Sequence, residues 1–317
     1  MTQTTEMKKT KEKSEMKKMM MKKRMLIVGG TGGTGSWFAR YFRGHGFDVS
    51  LWGPSGRVEV AERLGVRYAG DLLAEVANSD VVLLSVPIKE TARVIEEVAP
   101  KMRPESLLMD VTSLKAEPMR AMLRWAPEGV EILGTHPMFG PTIPTIRGQT
   151  VILVPAAGRC SAWLSPMKEI FREGGARVEV LGAEEHDRIM AVVQALTHFA
   201  YISIGSTLES LDFDVAHSRR FMSPVYEIMI DFVGRILAQS PELYASIQEN
   251  PEAERVREAY IKECKRLAKL ADDGNSAGFM DAMRSAADHF EGGDEALARS
   301  DRLISLWIDH REKGRRG

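Results

Sequence analysis

A short apolar run, Met25-Leu-Ile-Val28, passes directly into Gly29-Gly-Thr-Gly-Gly-Thr-Gly35, and this junction limits the fold more than any other stretch of the chain. Gly30, Gly32 and Gly35 fit the spacing G-x-G-x-x-G. A helical pattern follows over Ser36–Arg43, then Gly46 and a second apolar strand, Phe47-Asp-Val-Ser-Leu-Trp52. Strand, glycine turn, helix and strand in this order form a βαβ unit suited to a dinucleotide. The first glycine permits the tight turn, the second lets backbone approach the pyrophosphate, and the third allows the helix to pack against the strand. The helix N-terminus, with Thr34 in its first turn, offers free N–H groups and the positive end of the helix dipole.

Further strands follow at the spacing of a parallel sheet. Asp80–Val86 ends at Pro87, Ser106–Val111 at Thr112-Ser113, and Val130–Gly134 runs out at His136-Pro137. Helical stretches at Ile88–Ala99 and Lys115–Trp125 separate them. Continuous apolar strands alternating with helices predict a mostly parallel Rossmann-type sheet covered on both faces. Ligands of such sheets lie beyond the carboxyl ends of the strands. That places Ser85, Pro87, Ser113 and His136 on the functional edge, the first two beside the cofactor.

From Ala183 onward the pattern is helical throughout. Glu184–Ser210 reads as one long helix, apolar nearly all round, which predicts burial on most sides and a role in a subunit interface. Its Gln194 and His198 argue against a membrane span. Pro224–Gln239 and Glu252–Asp273 are amphipathic, and Asn275–Ser300 adds shorter helical runs. The expected organisation is a disordered basic tail over residues 1–24, a dinucleotide-binding domain over 25–182 and an all-α dimerisation and substrate domain over 183–317. The tail carries nine Lys or Arg and three Glu, without the apolar core of a secretory signal. With 43 basic against 44 acidic residues, the chain gives no reason to expect nucleic acid or a membrane as partner. Two distant cysteines, Cys160 and Cys264, exclude a disulfide framework and fit a reducing cytoplasm.

The second strand ends Leu51-Trp52-Gly53-Pro54-Ser55-Gly56-Arg57, without the carboxylate that usually bonds the ribose of NAD. Ser55 and Arg57 could hold a 2′-phosphate, which favours NADP over NAD.

Together with the glycine turn, the blocks Asp110-Val-Thr-Ser-Leu-Lys115, Thr135-His-Pro-Met-Phe-Gly-Pro141, Glu185-His-Asp187, Gln194–Ala200, Ser223-Pro-Val-Tyr226 and Val233–Tyr244 resemble prephenate dehydrogenases of tyrosine biosynthesis. The likeness covers roughly residues 25–290 in the family's order. It implies oxidative decarboxylation of prephenate to 4-hydroxyphenylpyruvate, with hydride passing to NAD or NADP, by a homodimer. By the same resemblance His136 is the catalytic histidine, accepting a hydrogen bond from the substrate hydroxyl, and Ser113 orients it. Arg235, Lys115 and His198 belong to the substrate site, and Tyr244 matches a position linked to tyrosine inhibition. Glu184-Glu-His-Asp187 reads as acidic first-turn residues matching a helix dipole rather than as metal ligands. Glu227 stands where, by the same resemblance, bacterial members of the family carry an arginine, which leaves arogenate as an alternative substrate. A β-hydroxyacid dehydrogenase and a non-catalytic NADP-binding redox sensor are the competing readings.

Overall fold

The computed structural model describes residues 22–290 and 292–314, so the tail expected over residues 1–24 lies almost wholly outside the described residues. The described chain falls into two units that divide between Met190 and Ala191.

In the first unit, β1 (Arg24–Val28) leads through the glycine turn to α1 (Gly33–Gly44) and β2 (Asp48–Trp52). There follow α2 (Val58–Leu64), β3 (Arg67–Tyr68), α3 (Leu72–Asn78), β4 (Val81–Leu84), α4 (Ile88–Val98), β5 (Leu107–Asp110), α5 (Ala116–Trp125) and β6 (Glu131–Pro137). The unit closes with β7 (Thr150–Pro155), α6 (Leu164–Glu173), β8 (Arg177–Val180) and α7 (Ala183–Met190). The strand order is β3-β2-β1-β4-β5-β6-β7-β8. Every pairing is parallel except β6 with β7, where His136 lies opposite Ile152. The mostly parallel Rossmann-type sheet expected from the strand spacing is therefore present.

Period-two alternation sends the side chains of each strand to two cores. Met25 and Ile27 of β1 join Trp37, Phe38 and Phe42 of α1 and Phe171 of α6 on one face. Leu26 and Val28 join Val94 and Ile95 of α4 and Met119 and Met122 of α5 on the other. Met25, Leu26, Ile27 and Val28 are fully buried, each stabilising the fold by roughly 1.5–3 kcal/mol relative to exposure. This double burial is why the strands read as unbroken apolar runs. The order reverses between β1 and β4, and that switch point opens the crevice in which such sheets bind nucleotides.

The second unit is entirely helical, as expected. The chain passes into it through a π-helical segment, Ala191–Leu196, followed by α8 (Thr197–Ser210), α9 (Val215–Ser218), α10 (Pro224–Leu237), α11 (Pro241–Gln248), α12 (Ala253–Asp272), α13 (Ser276–His289) and α14 (Gly293–Gly314). Ser223 and Ser240 cap α10 and α11, each followed by proline at the first helical position. One expectation needs correction. The helix Ala183–Ser210 is long and apolar enough to cross a membrane, yet only 17% of its apolar window is buried within the chain. No residue of α8 is fully buried. The burial on most sides expected from the sequence is therefore not supplied by the chain itself.

Candidate active site

The glycine turn is shaped by close backbone approaches. Gly29 has φ of 79°, in the left-handed region, and a Cβ there would meet the Ser85 carbonyl oxygen at 2.3 Å. A Cβ on Gly35 would meet the Gly29 carbonyl oxygen at 2.6 Å and the Gly30 Cα at 2.7 Å. Gly32 differs: its nearest neighbour would be 3.4 Å away, leaving room for a ligand against the backbone. Gly32 is the N-cap of α1 and no side chain caps the helix, so the first-turn amides, including that of Thr34, are available to a phosphate. The Ser85 amide bonds the Val28 carbonyl at 2.8 Å, tying β4 to β1 beside the turn, and Pro87 is the N-cap of α4. Arg57 donates from Nε to Ser55 Oγ at 3.1 Å and from Nη2 to the Thr31 carbonyl at 2.9 Å, which holds its guanidinium against the glycine turn. These residues fit a dinucleotide cofactor.

Farther along the same edge, His136 is 2% exposed near the carboxyl end of β6. Its Nδ1 lies 2.8 Å from Nε2 of His186, a fully buried residue of α7. Nδ1 of His186 lies 2.7 Å from Oδ1 of Asp187. The Asp187 carboxylate in turn accepts the backbone N–H groups of Lys115 at 2.8 Å and Ala116 at 2.9 Å, at the start of α5. Burial, reinforced by the neighbouring His186 and Lys115, pushes the His136 pKa well below the usual histidine value, so its imidazole is neutral. Burial opposes ionisation of Asp187, but hydrogen bonds from His186, Ala116 and Lys115 outweigh it and hold the carboxyl below its usual range.

Lys115 departs from the sequence expectation of a substrate-facing cation. It is fully buried, and its Nζ donates to Asp110 and to Thr112 Oγ1, the latter at 3.0 Å. Burial lowers its pKa against the opposing pull of Asp110. Its aliphatic stem lies over Gly134 of β6, where a Cβ would meet Lys115 Cδ at 2.9 Å. Ser113 is half-buried at the end of β5, and its hydroxyl neither bonds His136 nor caps α5 among the described residues. Sequence reasoning missed the pairing of His186 with His136. The available signal was a histidine and an aspartate adjacent in Glu184-Glu-His-Asp187, which that reasoning assigned to the helix dipole alone.

In the helical unit the structure brings together His198, Tyr244 and Arg235. The rings of His198 and Tyr244 meet edge to face at 4.7 Å. Burial raises the pKa of the Tyr244 phenol while the nearby charge of Arg235 opposes it. Arg235 itself is exposed on α10. Burial also lowers the His198 pKa and keeps that ring neutral. One helical turn before it in the π segment lies Gln194, and buried atoms of both, Gln194 Oε1 and His198 Nδ1, lack a hydrogen-bond partner. π-helical turns recur at functional sites, and these two buried atoms sit in and just after one. Glu227, also on α10, is nearly buried and accepts Nη1 of Arg311 from α14 at 2.6 Å. The acidic departure at position 227 thus carries its own guanidinium.

The family profile for the prephenate dehydrogenase nucleotide-binding domain matches residues 38–180, and that for the prephenate dehydrogenase dimerization domain matches residues 182–285. A Methanocaldococcus jannaschii protein named probable arogenate/prephenate dehydrogenase is 44% identical over 275 residues, 85% of this chain. The chain spans 61% of the length of that relative. A T-protein of Haemophilus influenzae is 32% identical over 289 residues, covering 89% of this chain and 71% of its own length. Among solved structures, prephenate dehydrogenase from A. aeolicus, crystallised with hydroxyphenyl propionate and NAD+, shares the fold with a TM-score of 0.68 at 21% identity, over 84% of this chain and 96% of that one. With a Rossmann-type sheet, a helical second unit and both family profiles matched in tandem, the chain belongs to the prephenate dehydrogenase family.

Proposed function

We propose that this chain catalyses the oxidative decarboxylation of prephenate to 4-hydroxyphenylpyruvate with NAD(P) as hydride acceptor. The observation that carries this reading is His136: a buried imidazole kept neutral on the sheet edge that also bears the glycine turn. NAD(P), held at the glycine turn and the N-terminus of α1, would supply the hydride acceptor for the ring carbon bearing the substrate hydroxyl. As that carbon becomes carbonyl-like, the neutral His136 accepts a hydrogen bond from the hydroxyl and stabilises its increasingly acidic proton. Loss of hydride and CO2 leaves a phenol without net gain or loss of a proton, so the histidine shares a proton and need not carry one away. Ser113, with its hydroxyl uncommitted, bonds the same substrate oxygen.

Prephenate carries two carboxylates, and Arg235 supplies an exposed guanidinium for one of them. His198 and Tyr244 shape the same region, and Gln194 joins them. Lys115 acts from within the protein, holding the turn that presents Ser113. Arg57, pinned beside Ser55 and Thr31, supports NADP as the preferred cofactor. The Glu227–Arg311 pair gives arogenate a specific place as second reading, because a carboxylate beside a guanidinium can meet an ammonium and a carboxylate together. A homodimer is part of this proposal, supported by the matched dimerization domain and by the uncovered apolar faces of Ala183–Ser210. A reducing compartment such as the cytoplasm fits the free Cys160 and Cys264.

The test is reduced-nicotinamide absorbance with prephenate or arogenate, each with NAD or NADP. Turnover with prephenate is expected, faster with NADP. His136→Asn should bind cofactor normally and lose most turnover, and Arg235→Gln should chiefly raise KM. Full turnover by His136→Asn refutes the catalytic assignment, and silence in all four assays with cofactor still bound favours a sensor.

A further inference from the structure

We propose that His186 and Asp187 are positioning residues that fix the tautomer of His136, leaving its Nε2 as the bare nitrogen that faces the substrate hydroxyl. This rests on the reading of His136 given above and extends it to two residues that touch no substrate.

The argument follows the protons. An ionised carboxylate can only accept, so Asp187 Oδ1, 2.7 Å away, requires a proton on Nδ1 of His186. In the His186 tautomer that this hydrogen bond selects, the lone pair lies on Nε2. Nδ1 of His136 lies 2.8 Å from that lone pair, a distance that two lone pairs could not share, so His136 must donate from Nδ1. With Nδ1 protonated and the ring neutral, the remaining lone pair of His136 sits on Nε2. The other tautomer would turn an N–H toward a hydroxyl whose own proton needs an acceptor, and the catalytic hydrogen bond would be lost.

The anchor of this chain is rigid. Asp187 is held by the amides of Lys115 and Ala116 at the N-terminus of α5, where the helix dipole favours an ionised carboxylate. His186 is completely buried between the two partners it touches. The remaining charged groups close to His136 are turned elsewhere: Lys115 gives its ammonium to Asp110 and Thr112. Ser113, which makes no bond to His136, is not needed to hold the ring.

Histidine labelled with 15N in the full-length protein reads the tautomer directly, and the difference spectrum of His136→Asn identifies its signals among the seven histidines. The expected result is a protonated Nδ1 and a bare Nε2. His186→Phe keeps an aromatic ring and leaves the Asp187 cap in place. It should lower kcat about 10²-fold, with substrate KM and cofactor Kd within about twofold, and shift the His136 signals toward a mixture of tautomers. His186→Gln, whose carbonyl can accept from Nδ1, should recover part of kcat. A protonated Nε2 in the wild-type protein overturns the proposal, as does wild-type kcat in His186→Phe or an effect confined to KM. If His136→Asn retains turnover, the role of His136 itself fails. If His136→Asn is inactive while His186→Phe matches wild type, only the positioning role fails. Should His186→Phe not fold, the wild-type spectrum still decides.

Discussion

Replacing Lys115 by methionine separates two roles that a lysine in this position can play. Met preserves most of the aliphatic stem that lies over Gly134 and removes only the ammonium. Asp110 is then left with no exposure and no cation, its Oδ2 bonded to Thr112 and its Oδ1 already without a partner. Breaking one side of a buried pair in this way costs roughly 3–5 kcal/mol. A domain of this size loses about 2–4 °C of midpoint per kcal/mol, so the first unit should melt roughly 6–20 °C lower. The assay is thermal unfolding followed by circular dichroism, with and without saturating NADP, alongside KM measured well below both midpoints. KM for prephenate should change by less than about threefold. Lys115→Met/Asp110→Asn removes the stranded charge and should regain more than half of the lost stability. A midpoint within about 2 °C of wild type, together with a tenfold or greater rise in KM, would refute the argument and restore Lys115 as a cation that meets substrate.

Other consequences follow from the same geometry. Because burial depresses the His136 pKa, the acid limb of kcat against pH should fall below the ordinary histidine value of about 6.5, and a limb at or above that value would contradict its burial. Stability follows the same sign: the unfolded chain takes up this proton near pH 6.5 while the folded one refuses it. Its contribution is therefore lost as pH falls below that value, at up to about 1.4 kcal/mol per pH unit, measurable by urea titrations at pH 7 and 5.5. Arg57→Ala should raise KM for NADP about tenfold or more while leaving NAD within about twofold; equal effects on both cofactors would remove its role at a 2′-phosphate. Gly35→Ala, with its Cβ 2.6 Å from a backbone oxygen, should abolish cofactor binding in a fluorescence titration, and wild-type affinity would mean that the turn is looser than described.

What could be read from the sequence was local. The glycine turn, its flanking strand and helix, the positions of Ser85 and Ser113 beyond strand ends and that of His136 near the end of β6 all depend on residues within a dozen positions of one another. The reversed strand β7 was missed because Val151–Val154 is buried on both faces like its parallel neighbours, and nothing in such a run encodes direction. Burial of Lys115 was hidden for a different reason: lysine is rarely enclosed, and its partner Asp110 sits five residues earlier, in another element. The helix Ala183–Ser210 was legible in extent and as an interface element, but not in how little of it the chain itself covers. Hydrophobicity says that a face will be covered, without saying whether the cover comes from the same chain.

The least legible feature is also the one that joins the rest. Asp110-Val-Thr-Ser-Leu-Lys115 and Glu184-Glu-His-Asp187 each look like a self-sufficient helix start, and Lys115 and Asp187 are 72 residues apart. In the folded protein the second segment completes the first: Asp187 supplies the cap that α5 lacks from its own residues, and His186 beside it reaches His136. Lys115, whose amide meets Asp187 while its ammonium meets Asp110, ties the ends of β5 and α7 together. A carboxylate that caps a helix is held at a fixed place and stays ionised, and both properties are what a tautomer-setting chain requires of its last member. Loss of the Asp187 carboxylate should therefore be felt at once in the stability of α5 and in kcat. Loss of His186 should be felt in kcat alone, and that asymmetry follows from the geometry of the two residues rather than from their identity.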